Sequence, residues 1–88
     1  MSLDSVVFLS QYPKLDLHGY DRESARVAIC DFLKEQYFLK QQIVVIVHGI
    51  GSGILKATTD QVLSHHKLVQ DYKTFYHNQG CTVVLLIH

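Results

Sequence analysis

The feature that most constrains the fold is an uninterrupted run of apolar, β-branched residues, IVVIV, at positions 43–47. A strand with one face in water alternates apolar and polar side chains, because successive side chains point to opposite faces of the sheet. This run has no polar member, so we expect a strand that is buried on both faces. Strands of that kind are typical of parallel sheets covered by helices. The run therefore predicts an α/β fold.

The segment before this run predicts a strand followed by a helix. Residues 14–18 alternate polar and apolar side chains, with Asp16 and His18 on one face of the predicted strand. Asp21 is a good N-cap residue. From there apolar residues recur at spacings of three and four, which predicts an amphipathic helix over about residues 22–38.

The segment after the run predicts a second helix and a hairpin. The helix is expected from about Ile54 to Ser64, with Ile54 among its core residues, and His65 and His66 at its end. A third strand from Val69 to about Tyr76 and a last strand from Cys81 to Ile87 flank turn residues that include His77.

Together these elements predict the order β-α-β-α-β-β. The expected fold is an α/β two-layer sandwich, in which two helices cover a mixed sheet. The chain has room for one domain, which we place at residues 14–88, after an N-terminal extension over residues 1–13.

The composition limits the classes of protein to which the chain can belong. No stretch approaches the roughly 20 apolar residues that span a bilayer, and the N-terminus lacks a secretion signal. Cys30 and Cys81 lie far apart, which indicates two reduced thiols in a cytoplasmic protein. Eight basic and eight acidic residues give a formal net charge of zero. Strong nonspecific binding of nucleic acid usually needs a basic excess, so any such contact must use a local patch.

Two polar segments follow neighbouring strands of the predicted sheet. LDLHG occupies positions 15–19, and HGIGSG occupies positions 48–53. Carboxyl ends of parallel neighbouring strands meet at one edge of a sheet, where open α/β sheets bind ligands. Glycines that open a helix let backbone N–H groups approach an anion. Asp16, His18 and His48 are therefore expected to converge on one phosphate.

These residue types suit cleavage of a phosphodiester bond. One histidine can take the proton of an attacking hydroxyl while another protonates the leaving oxygen, and Asp16 can orient an imidazole or bind a metal. The predicted contacts to phosphate lie in the two polar segments and the helices that follow them: Gly19, Arg22, Arg26, Gly49, Gly51, Ser52, Gly53 and Lys56. Tyr20 is either a residue on which a base stacks or a core residue.

A structural interpretation exists for each of these residues. The pattern also fits Asp16 as a residue that caps a turn. It also fits His18 or His48 as a buried histidine whose ring nitrogens are hydrogen-bonded within the core. The glycines fit a tight turn as well as a phosphate site. The arginines and Lys56 also suit a solvated helix face. His65, His66 and His77 are expected at a helix end and in a turn, without a functional role.

Two motifs together resemble a known family. LDLHG at 15–19, HGIGSGILK at 48–56 and the hairpin segment NQGCT at 78–82 resemble the Smr (small MutS-related) domain. The resemblance implies a fold similar to the C-terminal domain of translation initiation factor three. It also implies nucleic-acid binding and, in several members, endonuclease activity. Asp16, His18 and His48 match the family's polar positions, and Gly49, Gly51 and Gly53 match its loop. Ile50 departs from the lysine or polar residue that many members carry there.

We therefore expect a nucleic-acid-binding domain with endonuclease activity on RNA or DNA. The alternatives are a non-catalytic RNA- or ribosome-binding module, the C-terminal domain of a MutS-like protein, and a protein-interaction domain that retains only the fold. The cofactor is open: Mg²⁺ is a candidate, whereas cleavage of RNA through its 2′-hydroxyl needs no metal.

Overall fold

The computed structural model describes residues 3, 6, 8–75 and 78–88. Two helices and four strands follow one another in the predicted order: β1 (Lys14–Asp16), α1 (Arg22–Phe38), β2 (Ile43–Val47), α2 (Ile54–His65), β3 (Val69–Thr74) and β4 (Cys81–Leu86). The α/β fold with a mixed sheet and two helices is thus confirmed. The predicted end of the third strand at Tyr76 and the predicted turn at His77 lie outside the described residues.

The four strands form one sheet in the order β1-β2-β4-β3. β1 runs parallel to β2, whereas β4 is antiparallel to both of its neighbours. Strand β2 therefore has one parallel neighbour, β1, and one antiparallel neighbour, β4. Asp16 pairs with Val47, so β1 and β2 end side by side at one edge of the sheet.

Both faces of the central strands are buried, as the apolar run predicts. On one face, α1 and α2 pack against alternate residues of β2 and β4 in a cluster that includes Ile29, Leu33, Val44, Ile46, Leu63, Val84 and Leu86. On the other face, Leu3 and Val6 of the N-terminal segment pack with Ile43, Val45, Phe75, Cys81, Val83 and Leu85. The sheet therefore has a helical layer on one side and a cover of N-terminal residues on the other. The predicted boundary at residue 14 stays a prediction.

The two helices begin close to the ends of the two polar segments. Oδ1 of Asp21 accepts the N–H of Ser24 at 2.7 Å, so this residue caps α1 as predicted, and the hydrogen bond lowers the pKa of the carboxyl group. α2 begins at Ile54 as predicted and ends with His65, with His66 as its C-cap. The prediction that Ile54 is a core residue is wrong: 48% of its surface is exposed, whereas the next residue, Leu55, packs against the core.

The described residues contain no helix that is both long and apolar enough to cross a bilayer. Cys30 and Cys81 are free thiols, and burial raises the pKa of Cys81.

The half-buried His66 leads to a testable pH dependence. Burial lowers its pKa, and the positive charges of Lys34 and Lys67 lower it further. Its Nδ1 accepts the N–H of Leu68 at 3.2 Å, which the neutral ring permits. We predict that the ring titrates below the ordinary histidine value of about 6.5, as measured by NMR of its ring protons. The unfolded chain then takes up the proton first as the pH falls, so stability declines below about pH 6.5.

The variant His66→Asn keeps an acceptor but cannot be protonated in this range. It should lose less stability than the wild type when urea unfolding is compared at about pH 7.5 and about pH 5.5. Titration of the wild-type ring at or above the ordinary histidine value would contradict this account.

Candidate functional site

The two polar segments meet where β1 and β2 end. Leu17 N–H donates to the carbonyl of Val47 at 2.9 Å, so the chain leaves both strands at the same point of the sheet. A cleft of about 440 Å³ opens between the two segments. We call it the loop cleft, and six of the predicted site residues line it: Asp16, His18, Gly19, His48, Gly49 and Gly51.

Asp16 shapes the turn that carries His18. Its Oδ1 accepts the backbone N–H of His18 at 2.9 Å, which folds the chain into an Asx turn and ends β1 two residues before the predicted end of the strand. The turn-capping interpretation of Asp16 is therefore what its contacts support. The exposed imidazole of His18 makes no hydrogen bond or ion pair with any described residue. Its ring nitrogens are therefore not engaged by the part of the chain that the structure describes.

His48 is held from both sides of its ring. Only 6% of its surface is exposed. Nδ1 lies 2.9 Å from the carbonyl oxygen of Gly49, and Nε2 lies 2.8 Å from the hydroxyl oxygen of Thr82. A carbonyl only accepts, so Nδ1 carries the proton, and in the neutral ring Nε2 accepts from the threonine hydroxyl. Both ring nitrogens are therefore engaged within the protein.

The turn before β4 holds the start of the same loop. The carbonyl of Gly80 accepts the N–H groups of both His48 and Gly49, at 2.9 and 3.0 Å. A methyl group on Gly80 would lie 3.2 Å from Oδ1 of Asn78 and 3.4 Å from Cα of Gly49, so the turn and the loop pack closely. Gly80 and Thr82 thus belong to the site, and the residues predicted from the sequence do not include them. Their signal is the NQGCT segment, the hairpin part of the family resemblance.

The second half of the loop keeps its backbone donors. The N–H groups of Gly51 and Ser52 donate to no acceptor in the described part of the chain. Gly53 is the N-cap of α2 with φ of +85°, a left-handed conformation that suits glycine, and Oγ of Ser52 accepts the N–H of Ile54 at 3.4 Å. Unpaired N–H groups at a helix start, where the helix dipole is positive, are what an anion site requires.

The three predicted cations differ in their surroundings. Arg26 forms an ion pair with Glu23, which raises the pKa of its guanidinium, and Lys56 Nζ lies 2.8 Å from Asp60 Oδ2. Neither of these two side chains lines the loop cleft. Arg22 forms no ion pair with a described residue, and it lines a cavity of about 290 Å³ beside the loop together with Ser52 and Gly53. Of the three, Arg22 is thus the cation available to a ligand at the loop.

Metal binding at this site would depend on Asp16. No group of three or more His, Cys, Asp or Glu side chains in the described ranges is arranged to hold a metal ion. Mg²⁺ typically needs only one or two carboxylates and completes its coordination with substrate phosphates and water. Asp16 is the carboxylate that lines the loop cleft, so Mg²⁺ bound there would rely on Asp16, a phosphate and water.

The chain is similar to proteins of a known family. The sequence model of the Smr domain family matches residues 15–88. The chain is 34% identical over 73 residues to endonuclease MutS2 of Clostridium botulinum and 32% identical over 74 residues to endonuclease MutS2 of Aquifex aeolicus. These matches cover 83% and 84% of the chain but 9% and 10% of the two relatives. The chain therefore spans about one tenth of the length of these proteins.

Two solved structures share the fold. The Smr domain of Thermus thermophilus MutS2 superposes with a TM-score of 0.84 at 25% identity, covering 86% of this chain and 99% of that domain. YdaL, a stand-alone small MutS-related protein from Escherichia coli, has a TM-score of 0.82 at 24% identity, covering 88% of this chain and 68% of YdaL. With the family model, these similarities show that the chain belongs to the Smr domain family.

Proposed function

We propose that this Smr domain binds nucleic acid at the loop cleft and cleaves its phosphodiester bonds as an endonuclease. The observation that carries the proposal is one of geometry: the imidazole of His18, which has no described partner, lines the same cleft as Gly51, whose N–H donates to no described acceptor. Histidine exchanges protons near neutral pH, and such amides bind phosphate. The MutS2 relatives, which are named endonucleases, support the same assignment.

Proton transfer is assigned to His18. With RNA as the substrate, its neutral imidazole takes the proton of a 2′-hydroxyl, whose oxygen attacks the adjacent phosphorus. The bond to the 5′-oxygen breaks, and that oxygen takes a proton from water, which leaves a 2′,3′-cyclic phosphate and a 5′-hydroxyl. The hydroxide formed from that water takes the proton of the His18 imidazolium, which restores the neutral ring. The amides of the loop and Arg22 stabilise the negative charge that develops on the phosphoryl oxygens. With DNA, water is the nucleophile, and Mg²⁺ at Asp16 would neutralise charge on the phosphate.

His48 is proposed to act through the loop rather than on the substrate. The lone pair of its Nε2 accepts from Thr82, and its Nδ1–H holds the Gly49 carbonyl, so neither nitrogen is free to serve as a base. The catalytic role predicted for His48 stays a prediction, and its contacts support a positioning role. The arrangement fixes the start of the loop, and Gly51 of its second half lines the cleft.

A second candidate function is binding of RNA or the ribosome without cleavage. Three observations favour it: the net charge of zero, the ion pairs that neutralise Arg26 and Lys56, and the 72% exposed Ile50 at the loop. Each of these lowers the positive potential with which a nuclease holds its substrate. Binding that weakens with salt, without cleavage over hours, would select this function.

We expect the purified protein to cleave single-stranded RNA or to nick plasmid DNA. Because His18 transfers the proton, His18→Ala should lower the rate by about 10²- to 10⁴-fold. His65→Ala is the matched control, since this exposed histidine lies at the end of α2 and does not line the loop cleft. Full activity of the His18 variant would exclude the proposed mechanism.

Analysis of the products in the same assay separates the two chemistries. Products that end in a 2′,3′-cyclic phosphate and form in the presence of a chelator indicate attack by the 2′-hydroxyl. Products with a 5′-phosphate that form only with Mg²⁺ indicate attack by water.

The two arginines of the first turns of α1 should differ in their effect on binding. Arg22 has no described ion-pair partner, whereas Arg26 is paired with Glu23. Arg22→Ala should weaken binding to every sequence and reduce the slope of log affinity against log salt by about 1. Arg26→Ala should change both quantities less. Fluorescence anisotropy at several salt concentrations measures the slope, and equal effects of the two variants would refute the assignment.

The hydrogen bond between Thr82 and His48 can be tested by its cost in stability. Thr82→Val keeps the shape of the fully buried side chain but leaves Nε2 of His48 without a partner. We expect a loss of about 1–3 kcal/mol in the free energy of unfolding, measured by urea denaturation, together with lower cleavage activity.

Thr59→Val is the matched control for this substitution. Thr59 is equally buried, but its hydroxyl donates to the Leu55 carbonyl within α2, where the helix already satisfies the backbone. Its replacement should therefore be nearly neutral. Equal stability of the Thr82 variant and the wild type would show that the hydrogen bond does not hold the loop.

A further inference from the structure

A second and larger cavity lies next to the loop cleft. It has a volume of about 590 Å³, within the range of small-molecule sites, and we call it the tyrosine cavity. Its walls come from residues that follow the two polar segments, including Tyr20, Arg22 and Ile54, and from Ser52 within the second segment. Leu55 lines both this cavity and the loop cleft, so the two are adjacent.

The cavity exposes apolar side chains that the fold does not use. Tyr20 is 40% exposed, and Ile54 is 48% exposed. The Tyr20 side chain makes no hydrogen bond or ring contact with any residue that the structure describes. Tyr37, at 38% exposure, offers a comparison: its ring stacks on His88 with centroids 5.2 Å apart. Tyr20 therefore presents an aromatic face without a partner.

The charges around this cavity indicate which part of a nucleotide it accepts. Asp21 and Glu23 also line this cavity, where Asp21 accepts from Ser24 N–H and Glu23 pairs with Arg26. Carboxylates repel a phosphate but accept N–H groups such as those on the edges of bases. The unpaired N–H groups that attract phosphate lie on the other side, in the glycine-rich loop.

We propose that the tyrosine cavity binds one unpaired nucleobase of the strand whose phosphate lies at the loop. The base stacks on Tyr20 and contacts Ile54, while Arg22, at the rim, contacts the adjoining phosphate. This inference rests on the proposed function and adds a preference: the substrate is single-stranded at the bound nucleotide, because a paired base is stacked within its duplex and cannot enter.

The test is fluorescence anisotropy with labelled oligonucleotides of RNA and of DNA, single-stranded and as duplexes of the same sequence. Stacking of one base predicts that Tyr20→Ala weakens single-strand binding by about 5- to 150-fold. Tyr20→Phe should keep most of the affinity, because the ring remains. Tyr37→Ala is the matched control and should bind as the wild type does. Ile54→Ala, which retains a good helix former in an exposed position, gives a second variant with a smaller expected loss.

An oligonucleotide in which every base is replaced by an abasic site isolates the contribution of the base. The wild type should bind it more weakly than the base-bearing strand, and Tyr20→Ala should discriminate less between the two. Equal binding of base-bearing and abasic strands by the wild type, preference for the duplex, or unchanged affinity of Tyr20→Ala would each overturn the inference while leaving the loop cleft as a site. Failure of the wild type to bind any of these nucleic acids would overturn both the inference and the proposed function.

Discussion

The contacts that the start of β4 makes with His48 are the constraint on which the site depends. Thr82 pairs with Ile46 across the sheet, two residues before His48, and this register brings its hydroxyl to Nε2. The Gly80 carbonyl takes the first two N–H groups of the loop at the same place. The shape of the loop therefore depends on β4, the last strand, which lies between β2 and β3. A site that looks local in the sequence is held by contacts from more than thirty residues away.

The positive potential at this site comes from backbone dipoles more than from ionised side chains. The net charge is zero, and two of the three predicted cations are paired with neighbouring carboxylates. Backbone N–H groups and the start of α2 add positive potential that no count of charged residues includes. Overall composition is therefore a poor guide to whether such a domain binds phosphate, and only a modest dependence on salt is expected, because few counterions are released.

The sequence predicts this fold well wherever the determining interactions are local. The bounds of α1 follow from the Asp21 cap and the spacing of apolar residues, and the structure confirms them at 22–38. The buried run at 43–47 is confirmed as β2, but its antiparallel neighbour β4 was not foreseen, because pairing across the sheet leaves no mark on periodicity. The hydrogen bond from Thr82 is hidden for the same reason.

The sequence also carries the spacing of the two ion pairs on the helices. Glu23 and Arg26 are three residues apart, and Lys56 and Asp60 are four apart, which are the spacings of ion pairs on a helix. The exposure of Ile54 is different, since periodicity does not show which of two adjacent apolar residues at a helix start packs against the core.

The N-terminal residues that cover the second face of the sheet show that the range matched by the family and the complete hydrophobic core differ in extent. The similarity to the Smr family begins at residue 15, yet Leu3 and Val6 are buried against Ile43 and Val45. The part of the chain that matches the family is therefore smaller than the part that completes the hydrophobic core. In this chain, residues that precede the matched range cover the second apolar face of the sheet, so a fragment that begins at residue 15 would leave that face open to water.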